Sequence, residues 1–101
     1  MLEWAVRAQR FILDVSQEEF RLDERTQSAV LHALLIIGEA ASRVDDSTRT
    51  ALPLIPWHEI RDMRNRIAHD YLSVDLDEVW RTVSSDLPKL TALLDSVLPT
   101  S

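Results

Sequence analysis

The sequence predicts an all-α fold, a bundle of four main helices, and three observations lead there. A single glycine in 101 residues leaves an all-β chain without its tight turns. Prolines only at 53, 56, 88 and 99 leave long stretches open to helix. Apolar residues recur at helical rather than alternating spacing along most of the chain. The length predicts one helical domain over 1–101, and 46% hydrophobic residues suffice for its core.

Composition also excludes function classes. Without cysteine there is no disulfide and no thiolate metal site. Three histidines without metal-ligand spacing predict no metal site, and no cofactor is expected. No apolar run approaches the ~20 residues of a membrane span, and no signal peptide is evident, so a soluble cytoplasmic protein is expected. A net charge of −6 repels phosphate backbones, so any contact with nucleic acid must be local.

The first helix is expected over 1–15, with Leu2, Ala5, Val6, Phe11 or Ala8, Ile12 and Val15 near helical spacing. It has no evident cap, so its first turn is expected to fray. Ser16 can cap a short turn that Phe20 and Leu22 anchor on the core. Asp23 is the predicted N-cap of the second helix, "ERTQSAVLHALLIIGEAASRV". Val30, Leu34, Ile37, Ala41 and Val44 form its stripe, and Ala33, Leu35, Ile36 and Ala40 widen it almost all round. Such a helix is central, or buried on a second side by a partner chain. Gly38 costs ~1 kcal/mol against alanine in a helix interior, which points to close approach of another helix or side chain.

"DDSTRTALPLIPW" reads as a connector with about one helical turn, and Pro56 suits a helix start. The third helix is "WHEIRDMRNRIAH", with Trp57, Ile60, Met63 or Arg64, and Ile67 on one face. "DYLSV" ends it. Asp75 with Glu78 predicts a capping box for the fourth helix. Leu76, Val79, Trp80, Val83, Leu87, Leu90, Leu94 and Val97 carry its stripe to about residue 98, kinked or restarted at Pro88. Trp4, Trp57 and Trp80 fall on apolar faces, and His32 and His58 read as helix-surface residues.

Chemistry concentrates in "RDMRNRIAHDY", residues 61–71, where an acidic chain gathers three arginines beside a histidine. Arg64 and His69 are separated by about 140° on an ideal helix, so they converge only if His69 sits where the helix ends. Asn65 and His69 share a face. An imidazole can take or give a proton near neutral pH, and a guanidinium can hold a phosphate and stabilise a phosphorane. Asn65 can fix the imidazole tautomer or bond the phosphate. Together they suit metal-independent RNA cleavage by a neighbouring 2′-OH. That reaction needs an acid and a base, and a symmetric dimer would bring two copies of the histidine.

Three segments, "AVLHALLIIGEAA" (29–41), "PLIPWHEIRDMRNRIAHDY" (53–71) and "VDLDEVWRTVSSDLPKL" (74–90), resemble the HepT-like toxins of the HEPN superfamily in the family's order. Its signature R-x4-H-x-Y is matched by Arg64, His69 and Tyr71, with Asn65 after the arginine. The resemblance implies a homodimeric four- to five-helix up-and-down bundle with both signatures at a composite cleft. It also implies a metal-independent endoribonuclease toxin of a type VII-like toxin–antitoxin pair. The cognate partner would be a minimal nucleotidyltransferase antitoxin that silences it by AMPylation of Tyr71. Members ordinarily carry several residues before the position of Met1, so the first helix is expected to be short.

Supporting roles are open for four further residues. Glu39 is either a partner orienting Arg64 or His69, or an exposed carboxylate. Arg61 and Arg66 either steer an RNA backbone or pair with neighbouring carboxylates. Asp70 either tunes His69 and Tyr71 or turns the chain. The competing reading of the whole is a non-catalytic helical module that binds a nucleotide or a nucleotidyltransferase partner.

Overall fold

The computed structural model describes residues 1–71 and 73–97. Four long elements carry the bundle: α1 (Leu2–Phe11), α3 (Glu24–Ser42), α5 (Trp57–His69), and a rod in which α6 (Leu76–Arg81), a π-helical turn (Thr82–Asp86) and α7 (Leu87–Val97) follow without a break. Two short helices, α2 (Gln17–Leu22) and α4 (Asp46–Ala51), lie in the connections. The all-α fold with four main helices is thus as expected.

Local chemistry starts the helices. Ser16 and Glu19 exchange side-chain and backbone hydrogen bonds in a capping box at α2. Asp23 accepts from the Thr26 amide and hydroxyl at α3, and Asp45 accepts from the Thr48 amide at α4. The bond from the Thr26 hydroxyl, then that from its amide, holds the Asp23 carboxyl below the usual carboxylate range. A pKa lower in the folded than in the unfolded chain stabilises the fold above the ordinary carboxylate range. That contribution is lost as pH falls through the lowered folded value. Pro56 directly precedes α5, and the Trp57 indole N–H donates to the Leu52 carbonyl, tying the connector to the helix.

The core forms around α3, which packs on α1 and α5 on its two flanks, while α1 also packs on α7. Val30, Leu31, Ala33, Leu34, Ile37, Gly38 and Ala41 of α3 are buried, whereas α5 buries only Ile67. Trp57, Ile60 and Met63 complete the inner face of α5 from half-buried positions, and Trp4 and Trp80 pack against the same core. Hence α5 is a flanking helix, anchored along one side and open along the other. This places the 61–71 stretch at the surface.

Several details refine or depart from expectation. The first helix stops at Phe11 because Ile12 and Leu13 bond in tighter i−3 fashion and Asp14 turns left-handed at φ 61°; a short acidic side chain tolerates that region. Of the two candidates left open for the next core position, Ala8 takes it and Phe11 stays exposed. Phe20 is buried beside Trp80, but Leu22 is 87% exposed and anchors nothing, because α2 ends there and turns it outward. The box at Asp75 is half made: Asp75 accepts from the Asp77 and Glu78 amides, while the Glu78 carboxylate pairs with Arg66 instead of reaching back. The irregularity expected at Pro88 falls before it. The Leu87 amide skips back to the Thr82 carbonyl in a π turn, which accommodates a following residue that has no N–H. Val97 is half-exposed at the rod's end, and the expected terminus at about residue 98 lies outside the described residues.

Gly38 explains how α3 and α5 come so close. A Cβ built there would fall on Arg64 Cβ and Cγ, nearer than non-bonded carbons approach. These atoms sit at the root of the side chain, so relief requires moving α5. Gly38→Ala gains ~1 kcal/mol in helix propensity but incurs overpacking of about 1–3 kcal/mol. The expected net result is a loss of roughly 1 kcal/mol, measured by urea denaturation; equal or higher stability would contradict the packing described.

Candidate functional site

Arg64 leaves the middle of α5 and lies across Gly38 on α3. From there its Nη2 pairs with Glu39 Oε1, and its Nη1 donates to Asn65 Oδ1 at 3.0 Å. The helical register of Gly38 and Glu39 makes this possible: one position leaves room for the stem, and the next presents a carboxylate to the head. The two side chains are 37% and 45% exposed. At such exposure an ion pair contributes no more than about 1 kcal/mol to stability, so its main consequence is geometric. Two of the five guanidinium N–H groups are committed, and the others stay available. Because Oδ1 of Asn65 accepts from Arg64, the amide NH₂ of Asn65 is left to donate elsewhere.

His69 is the last residue of α5, and the backbone leaves the helix at Asp70, with φ −126° and ψ 39°. The Asp70 amide still donates to the Arg66 carbonyl, and its own carbonyl accepts from the Ser73 amide. Asp70 therefore turns the chain. His69 is exposed and falls on the same helix face as Asn65 and Arg61, at successive i, i+4 positions. Arg64 directs its hydrogen bonds to Glu39 and Asn65, not to His69. Tyr71 follows in the turn, 41% exposed, so its hydroxyl is reachable from solvent.

The other arginines separate. Arg66 points to the opposite flank of α5 and pairs with Glu78 on α6, which removes it from the Arg64 side. Arg61 has no carboxylate partner among the described residues, since its neighbour Asp62 pairs with His58 at 3.1 Å. Arg61 instead lines a cavity together with Arg49. Sequence reading overlooked Arg49, which sits in a six-residue helix with no periodic signal. His32 is exposed and packs edge-on against Trp4, with centroids 5.7 Å apart.

Among the described residues, no group of three or more His, Asp or Glu is placed to hold a metal ion. No described helix is long and apolar enough to cross a membrane.

The family described as "Ribonuclease HepT-like" matches residues 1–97. The chain is 39% identical over 82 residues to "Probable ribonuclease HepT" of Thermococcus cleftensis, covering 81% of this chain and 74% of that protein. It is 34% identical over 90 residues to "Putative RNase MJ1380" of Methanocaldococcus jannaschii, covering 89% and 83%. No solved structure matches the chain significantly. A family match that takes in α1 to α7, with the Arg64–His69 stretch inside it, establishes that the chain belongs to the HepT-like ribonuclease family.

Proposed function

We propose that the chain is a metal-independent endoribonuclease toxin, active as a homodimer and held in check by a cognate nucleotidyltransferase. The observation that carries this reading is the anchored guanidinium of Arg64. Glu39 and Asn65 hold it about one and a half helical turns before an exposed imidazole at the helix end.

RNA brings its own nucleophile, so the site must supply only a base, an acid and charge stabilisation. His69 takes the proton of the 2′-OH, and the resulting O2′ attacks the adjacent phosphorus. The bond from phosphorus to O5′ breaks, and that oxygen takes a proton from the imidazolium of the second protomer's His69. The products are a 2′,3′-cyclic phosphate and a 5′-hydroxyl end. As the phosphorane gathers negative charge, the uncommitted N–H groups of Arg64 and the NH₂ of Asn65 donate to its oxygens. Because a guanidinium fixed before substrate arrives costs no reorganisation at the moment of reaction, the Glu39 pair serves catalysis more than stability.

Silencing acts at Tyr71. Its phenolic oxygen attacks the α-phosphorus of ATP on the partner enzyme, pyrophosphate leaves and the phenolic proton is released. The new phosphodiester sits two residues beyond His69. Its negative charge can lie against Arg64 in place of the substrate phosphate.

Two outcomes are expected. His69→Ala and Arg64→Ala each reduce formation of 2′,3′-cyclic phosphate ends by about 10²–10⁴, measured on purified protein with chelator present and helical content unchanged. Cleavage at the wild-type rate by His69→Ala would remove His69 as the base. Co-incubation with the partner nucleotidyltransferase and ATP adds the mass of AMP to a peptide containing Tyr71 and stops cleavage. Tyr71→Phe still cuts RNA but escapes silencing; a Tyr71→Phe variant silenced as fully as wild type would place the modification elsewhere.

A further inference from the structure

A cavity of about 580 Å³ opens between the C-terminal end of α3, α4 and the first half of α5, bounded by Ser42, Arg49, Thr50, Trp57, His58 and Arg61. Its size lies within the ~300–1,000 Å³ of ordinary ligand pockets. Among the described residues no carboxylate lines it, although Asp46 lies 3.7 Å from Arg49 and Asp62 3.1 Å from His58, in a chain with 17 acidic residues and a net charge of −6. That lining gathers two arginines in an acidic molecule, and it lies on the half of α5 that leads to the proposed reactive face. Arg61, Asn65 and His69 stand in one row, and a helix rise of ~1.5 Å per residue puts Arg61 about 12 Å from His69 along the axis.

Two walls of the cavity are fixed by hydrogen bonds, those of Arg49 and Trp57. Arg49 donates from Nη2 to the Ala41 and Ser42 carbonyls at 3.2 and 3.1 Å, so its charge is pinned to the end of α3. Its only carboxylate among the described residues is Asp46, 3.7 Å away with a fully exposed side chain. Trp57 is held through its indole N–H on Leu52 O at 3.0 Å, which gives a rigid aromatic wall. Arg61 is the uncommitted cation of the group.

We propose that this cavity is a second RNA subsite, which holds a phosphate of the substrate strand flanking the scissile one, on Arg61 with Arg49 behind it. Trp57 and the Thr50 hydroxyl furnish the kind of mixed aromatic and polar lining that single-stranded nucleic acid uses. The inference rests on the ribonuclease reading above, but it concerns binding and can be tested without cleavage.

The probe is a 2′-O-methyl oligoribonucleotide, which lacks the attacking hydroxyl and cannot be cut. Arg61→Gln is expected to weaken its binding about tenfold at low salt and to lower the slope of log K against log salt by ~0.7. Arg61→Lys is expected to restore most of both. In cleavage assays Arg61→Gln raises KM on a long RNA far more than on a dinucleotide that spans only the scissile bond. Unchanged affinity and salt slope, or an equal effect on both substrates, would overturn the subsite. A wild type that binds the probe through Arg61 yet cuts no RNA would leave the subsite standing and remove the ribonuclease reading instead.

Discussion

One contact organises the molecule: the stem of Arg64 resting on the bare backbone of Gly38, with its head held by Glu39 and Asn65. The apolar stripe of α3 explains why that helix is central, but a stripe alone does not say how close α5 may come. The missing side chain at 38 sets that distance, and the carboxylate at 39 sets the direction of the guanidinium. A cation that would otherwise sweep through solvent is confined to one place on an exposed flank. The ion pair adds little to stability because both partners are wet. In the proposed mechanism its value lies in preorganisation.

The sequence disclosed most of the fold for plain reasons. Helix periodicity and the aspartate caps are local, so α3 and α5 could be bounded nearly residue by residue from Asp23, Pro56 and His69. Features decided by competition between distant groups were not legible. Glu78 had a place in a local capping box, but Arg66 offered a charged partner across the groove and took it. Leu22 looked like an anchor by composition and is turned to solvent by the end of α2. The break near Pro88 was foreseen, and its form as a π turn over Thr82–Asp86, before the proline, was not.

The candidate site divides in the same way. Arg64, Asn65, His69 and Tyr71 lie close in sequence and could be singled out from the motif, whereas Glu39 is 25 positions from the arginine it holds. It was one open possibility among two. The cavity with Arg49 exists only through packing of three helix ends, so no spacing rule could announce it. Under the proposed reading, the net charge of −6 disfavours indiscriminate coating by RNA, and local contacts through Arg61 would guide the strand toward His69. The proposed dimer would double these contacts and supply the acid that a lone chain lacks.

If Glu39 acts through Arg64 and by no other route, the two residues form a single functional unit. The direct measure is a double-mutant cycle on RNA cleavage under single-turnover conditions, with Glu39→Gln, Arg64→Ala and the combined variant. The account predicts that Glu39→Gln slows cleavage about tenfold when Arg64 is present and has no further effect when it is gone. Costs that simply multiply would mean that the two side chains act independently, and the anchored guanidinium would lose its place at the centre of the mechanism.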